Sequence, residues 1–364
     1  ALIGFVIARA WTAASTVGIC LVGIATQIGL DPAITAGAVI SGAYFGDKLS
    51  PLSKKSRLAA GLAGIDHRLH AREALWTSVP SFALCLALFW WLGEDSSRDV
   101  QVIIGSIDAA LDIRPVLLLP LATVIVMALV GVRPFITMFT GALVGGAVAV
   151  AIKPATVIAF AGDAELWPAL LLLKGFWQAM ATGFVADTGN QALNGFLSRG
   201  GMTRMLDTIW LISAALAFGG VIERIGLMRR LFEPIVRIAR SAPALVATTV
   251  GASIAGNLLT ADQQSGTRLA ERILKPAFDA NNLAPVVLSR ATADSASVTS
   301  VLIPWNSCGA YLAAALGVST LAYAPYALFS LISPLVTIFI ALLGIRMLRL
   351  GGPARVSSDP APGA

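Results

Sequence analysis

Three aspartates stand inside apolar stretches, each among hydroxyl, amide or proline neighbours. Asp47 lies in "GDKLSPLS" (46–53), Asp262 in "GNLLTADQQ" (256–264) and Asp294 in "SRATADSASVTSVLIPWNSCGAY" (289–311). A lone carboxylate at membrane depth costs about 2.5–3.5 kcal/mol, so it persists where it binds a cation, takes up a proton or pairs with a base. Hydroxyls and carbonyls freed by a proline break are oxygen ligands of the kind a hard cation takes. Ser50 and Ser53 flank Pro51 beside Asp47. Asn257, Thr260 and Asp262 fall at i, i+3 and i+5, which puts two of them on one helix face. Asp294 is followed by Ser295, Ser297, Thr299 and Ser300, and the break after it offers Asn306 and Ser307. Other readings stay open: Asp47 paired with Lys48 or Lys54 at a helix end, Asp262 at a helix exit, and the Asp294 stretch as interhelical hydrogen bonding. A fourth stretch, "FVADTGNQALNGFLSRGGM" (184–202), adds Asp187 as a candidate or is an external loop.

Spanning helices must carry these groups. Of the 364 residues, 57% are hydrophobic and only 13% charged, and the mean hydropathy is +0.80. Soluble domains carry about 25% charged residues, so we expect an all-α polytopic membrane protein with the lipid bilayer as its surroundings. The apolar runs are continuous, as helices of about 20 residues need, and do not alternate as barrel strands would. The net charge of +6 fits basic cytoplasmic loops and does not point to nucleic acid. Cys20, Cys85 and Cys308 lie in apolar runs and read as small buried side chains. No Cys/His cluster suggests a resident metal, and we expect no cofactor. A GxSG serine site is absent, and no "YD" accompanies a GxGD sequence, so an intramembrane enzyme is not expected.

Clear spans are 13–30, 74–93, the hairpin 115–131 and 134–152, 204–222 and 325–348. Residues 94–113 read as a polar linker with a short surface helix, and 351–364 as a disordered cytoplasmic tail after a membrane domain of 1–350. The stretch 223–240 carries five arginines and reads as an amphipathic cytoplasmic helix. His67, Arg68, His70 and Arg72 read as a basic cytoplasmic loop. Residues 33–65, 242–264 and 285–318 are apolar but interrupted. Broken helix at membrane depth is tolerated only inside protein or around a watery cavity, and paired breaks point to a transporter's binding site. "LAAGLAG" from Leu58 follows Pro51 much as "LAAALG" from Leu312 follows Pro304, a faint internal echo. The chain opens at Ala1 inside an apolar run, and we expect further spans upstream of it.

In "GAVISGAYFGDKLSPLS", "DTGNQALNGFLSRGGMTRMLDTIWLISAALAFGGVIE", "NLLTADQ" and "SRATADSASVTSVLIPWNSCGAYLAAALGVSTLAYAPYALF" the chain resembles the NhaC family of sodium/proton antiporters. The resemblance runs from about residue 10 to 345. It implies a multi-pass antiporter of a bacterial inner membrane that exchanges Na+ for H+, built from inverted repeats with discontinuous helices. Sodium-coupled malate/lactate exchange belongs to the same family and is the alternative, as is an inactive truncated member. The family motifs place Asp47, Ser50 and Ser53 in the first match. They place Asn257, Thr260 and Asp262 in the second, and Asp294, Ser295, Thr299 and Asn306 in the third. These are the expected Na+ and proton ligands.

One departure matters. Family members resembling this chain continue "SPLS" with Asp-Thr-Thr, where this chain has Lys54, Lys55 and Ser56. A like charge about 4 Å from a bound cation costs roughly 4 kcal/mol at an effective dielectric of about 20, or about a thousandfold in affinity. Lys54 is therefore read as a built-in cation near Asp47 that takes the ion's place and can carry a proton; a lysine exposed in an aqueous vestibule is the other reading.

Overall fold

The structure, a computed structural model, describes residues 1–93, 114–162, 166–186, 194, 198, 200–239 and 241–350. Asp187, the 94–113 linker and the 351–364 tail lie outside the described residues. The elements among them are all helices. A first group comprises α1 (Leu2–Ile7), α2 (Ala10–Ala13), a π-helical turn (Ala14–Gly18), α3 (Ile19–Gln27), α4 (Pro32–Leu49), α5 (Lys54–Ala63) and α6 (His67–Leu92). A middle group comprises α7 (Leu119–Leu129), α8 (Pro134–Ile152), α9 (Pro154–Ala161), α10 (Pro168–Thr182), α11 (Thr203–Arg224) and α12 (Leu227–Ile238). The last group comprises α13 (Ala242–Thr260), α14 (Gln263–Ala280), α15 (Pro285–Thr299), α16 (Ser307–Leu316), α17 (Thr320–Tyr323) and α18 (Leu328–Leu342).

Among the described residues, His67–Leu92, Phe135–Ile152, Met205–Arg224 and Ala242–Thr260 are long and apolar enough to cross a membrane. Two helix pairs are long and apolar enough only when taken together and are bent at the break between them, Pro285–Leu302 with Ser307–Leu316 by 49° and Thr320–Tyr326 with Leu328–Leu342 by 51°. Trp90, Phe135 and Trp210 turn outward, as apolar side chains do when the surroundings are lipid. The 115–152 hairpin forms as expected, turning at Gly131 with φ 82°. Three expectations are corrected. His67, Arg68, His70 and Arg72 are not a loop but the first turns of α6, started by Asp66, whose carboxylate accepts from Arg68 N at 2.9 Å. The 13–30 span is a shorter helix with a π turn inside it. Cys20 is exposed, while Cys85 and Cys308 are buried.

The first and last groups are two copies of one plan. Left-handed residues pair at a constant separation along the chain: Ala8 (φ 56°) with Ala261 (φ 55°), Gly29 (68°) with Asn282 (54°), and Gly64 (74°) with Gly317 (71°). Pro32 and Pro285 begin the corresponding helices. Each helix then stops before a proline. Ser50 and Ile303 precede Pro51 and Pro304 and take extended backbone, because a proline disfavours helical backbone in the residue before it. Each chain restarts on a side-chain cap: Ser53 accepts from Ser56 N, and Asn306 from Cys308 N. The restarted helices, α5 and α16, are both 10 residues long. The packing repeats too. Gly4 of α1 abuts the Ala43 carbonyl so closely that a Cβ would stand 2.7 Å from it. At the matching place in the second copy, the Asn257 amide donates to the Ala296 carbonyl at 2.8 Å.

Breaks also occur at Ala8 and Ala261, alanines in a conformation that costs a non-glycine residue about 1–2 kcal/mol. Two broken helices therefore meet in the second copy. Ser307 N, at the head of α16, donates to the Ala261 carbonyl at 2.9 Å. Gly309 sits against the Ile303 carbonyl with no room for a Cβ, which keeps the turn tight. Two apolar clusters hold this frame. One is built around Ile40, Tyr44, Leu312 and Phe329, the other around Leu245, Leu274, Phe278 and Leu288.

Candidate functional site

Asp294 lies in the middle of α15 and is fully buried. Its carboxylate forms an ion pair with the Lys48 ammonium from α4. Thr77 of α6 donates to Oδ1 at 3.0 Å, and Thr337 of α18 donates to Oδ2 at 2.6 Å. Lys48 also donates to Ser333 Oγ, at 3.3 Å. One acid, one ammonium and three hydroxyls thus converge from four helices. Burying such a pair is tolerated only when the geometry is good and the remaining lone pairs are satisfied, and the threonines do this.

Asp47, one residue before Lys48, serves a different cluster. Its Oδ2 accepts from Ala10 N at 3.2 Å, an orphan amide at the start of α2. The same oxygen meets Lys55 Nζ at 3.3 Å, while Oδ1 has no partner. Lys55 lies over the Tyr44 ring, 4.5 Å from its centre. The expected pairing is therefore corrected: Lys55 stands beside Asp47, Lys54 is exposed, and Lys48 turns to Asp294. Lys54→Ala is expected to leave stability within about 0.5 kcal/mol. Lys55→Ala is expected to cost about 1–2 kcal/mol, less than a fully buried pair because 24% of the Lys55 side chain is exposed. Melting temperatures of the two purified variants in detergent check this.

A third cluster marks the crossing of the breaks. Asn257 donates to Thr299 Oγ1 at 3.0 Å as well as to Ala296, and Asn306 donates to the Asn257 carbonyl at 3.0 Å. Gln263 donates to the Ser297 carbonyl at 2.7 Å. Thr260 Oγ1 donates to the Gly256 and Asp262 carbonyls. Asp262 caps α14, accepting from Ser265 N at 2.8 Å, and Ser53 caps α5. Ser295 donates to the Ala291 carbonyl of its own helix, and Ser50 is buried where α4 stops. The expected residues thus divide. Asp294 is the acid of the four-helix cluster, Asp47 belongs to the Lys55 cluster, and Asn257, Thr260, Asp262, Thr299 and Asn306 gather at the crossing.

Sequence reasoning missed Thr77, Ser333 and Thr337, whose signal was hydroxyls one helical turn apart in apolar helices. It also missed a charged layer one turn along from Asp294. Glu73 meets Arg290 at 3.6 Å and Arg346 at 3.4 Å, and Arg346 lies over Trp76 at 4.4 Å. Arg290 and Asp294 are four apart on α15, and Glu73 and Thr77 four apart on α6, a spacing that puts each pair on one face. Among the described residues, no group of three or more His, Cys, Asp or Glu could hold a metal ion.

A family model described as the Na+/H+ antiporter family matches residues 42–345. The Na(+)/H(+) antiporter NhaC of Alkalihalophilus pseudofirmus is 34% identical over 339 residues, covering 92% of this chain and 70% of that protein. The Na(+)/H(+) antiporter NhaC of Bacillus subtilis is 34% identical over 348 residues, covering 93% and 73%. The malate-2H(+)/Na(+)-lactate antiporter of Bacillus subtilis is 30% identical over 332 residues, covering 89% and 67%. No solved structure matches the chain.

Proposed function

Since the chain belongs to the Na+/H+ antiporter family, we propose that the Lys48–Asp294 pair is where this multi-pass membrane antiporter exchanges its sodium for its proton. One observation carries the assignment: a fully buried carboxylate holds a lysine ammonium inside a ring of three hydroxyls. Asp294 can neutralise one positive charge well. A sodium ion that takes the ammonium's place requires Lys48 to give up a proton. A proton returning to Lys48 restores the ammonium and releases the sodium. Thr77, Ser333 and Thr337 offer oxygens to whichever cation is present. Competition for one carboxylate is sufficient for exchange once the frame alternates between the two sides.

The crossing of broken helices around Asn257 and Asn306 is the element we assign to that alternation. Hydrogen bonds there run between side chains and freed carbonyls, so the helices re-pair without exposing backbone to lipid. We place the protein in a bacterial inner membrane, acting without a cofactor and as a transporter rather than an enzyme.

The test is reconstitution of the full chain in liposomes holding a pH-sensitive dye. A sodium pulse is expected to move protons with no organic acid present. Proton movement that needs malate or lactate would replace this reading with the organic-acid one.

A further inference from the structure

Between the Asp294–Lys48 and Asp47–Lys55 pairs lies a small, partly enclosed cavity lined by Tyr44, Asp47, Lys48, Lys55, Ser56 and His70, among others. Its volume is about 10 Å3, room for one water molecule. Several lining groups are buried and keep an unsatisfied polar atom: Asp47 Oδ1, Ser56 Oγ and His70 Nε2. Their residues are all at most 3% exposed. Buried polar atoms are nearly always partnered, so this convergence is a built polar site. His70 is held by its other nitrogen, Nδ1, which is 2.7 Å from Ser289 Oγ of α15. The charged or titratable groups around the ring are Asp294 of α15, Tyr44, Asp47, Lys48 and Lys55 on the cavity, and His67 on its own helix, 6.4 Å between ring centres.

We propose that this cavity is the proton way-station of the antiporter, with His70 as its relay residue. The inference rests on the exchange-centre reading and extends it. When sodium reaches Asp294, one N–H bond of the Lys48 ammonium breaks. Its proton passes through a water in the cavity to His70 Nε2, where a new N–H bond forms. Lys48 is left a neutral amine and His70 an imidazolium, so charge is conserved in the step. The step uses the tautomer with its proton on Nδ1, directed at Ser289 Oγ, which leaves Nε2 free to accept. From His70 the proton has one further acceptor on the same cavity, Asp47 Oδ1, whose carboxylate lies beside the partly exposed Lys55. The two ion pairs are then successive stations of one proton path, and the hydroxyl ring at Asp294 serves the cation alone.

The experiment separates proton movement from sodium binding in the full chain. His70→Gln keeps a polar side chain but removes the titratable group. Ser56→Val puts apolar bulk into the cavity and leaves His70 intact, so it reads the proposal even if the histidine variant folds poorly. Each is expected to slow sodium-driven proton release in liposomes by at least about tenfold, a barrier change of about 1.4 kcal/mol. Sodium affinity, read from sodium-dependent thermal protection in detergent, is expected to stay near that of the unaltered protein. Proton release at the unaltered rate in a folded variant overturns the relay, and so does a parallel loss of sodium affinity. Asp294→Asn run alongside tests the exchange centre separately: it is expected to lose sodium affinity and proton release together, and retention of both defeats that reading and not the relay alone.

Discussion

Asp294→Asn is expected to abolish sodium-driven proton movement and to destabilise the protein by about 3–5 kcal/mol, because it leaves the Lys48 ammonium buried without its counter-ion. The lysine side chain is only 4% exposed, and Ser333 is the other acceptor it has in the site. A loss of transport alone would not separate a missing ligand from a damaged fold. The double variant Asp294→Leu with Lys48→Met makes that separation. Replacing a buried ion pair by apolar groups of similar volume is often neutral or stabilising by about 1–4 kcal/mol. The double variant is therefore expected to melt near the unaltered protein in detergent and still move no protons in liposomes. Exchange by the double variant would show that the sodium and proton bind elsewhere, with Asp47 and its free oxygen the first place to look.

The second large effect is expected at Glu73. Its carboxylate lies between Arg290 and Arg346, and Arg290 is the largest fully buried side chain among the described residues. Glu73→Gln leaves two guanidinium groups facing one another without a counter-charge, one of them 2% exposed. The expected cost is about 3–5 kcal/mol, the scale for breaking a buried pair from one side. Arg346→Ala is expected to cost about 1 kcal/mol, because its side chain is 34% exposed and water screens it. That ordering is read from melting temperatures, and equal losses would mean that Glu73 serves Arg346 rather than Arg290. A functional consequence follows from helix spacing. Arg290 is one turn from Asp294, so an unpaired Arg290 competes with sodium for that carboxylate. In any Glu73→Gln protein that folds, sodium affinity is expected to fall as well.

Much of the frame is legible from residue order. Continuous apolar runs identify the long spans, and Pro51 and Pro304 mark breaks, because proline's restriction of the residue before it is a local property of the chain; the left-handed turn at Ala261 is one that alanine does not favour and its residue type does not announce. The repeat is legible only faintly. Shared prolines at 32 and 285, and at 51 and 304, and the glycines at 64 and 317 keep the plan, while most other side chains differ. The echo read from Leu58 and Leu312 is off by one residue, since Gly64 and Gly317 are the left-handed glycines that share the separation of the other repeat pairs.

Residue order by itself thus determined that carboxylates and broken helices would share the membrane interior, and that Asp294 and Asp47 would need partners there. Only the tertiary structure decided which partners. Asp47 and Lys48 are neighbours in sequence, but consecutive residues of a helix point about 100° apart and do not face each other. One therefore turns to α2 and α5, the other to α6, α15 and α18. A pairing across helices depends on which faces the fold brings together, and charge order along one strand of sequence carries no record of it. The same holds for His70. Beside Arg68 and Arg72 it reads as part of a basic loop, yet the turn of α6 carries it inward to Ser289. A helix separates its near neighbours by direction, and the packing of its partners determines which direction is the interior.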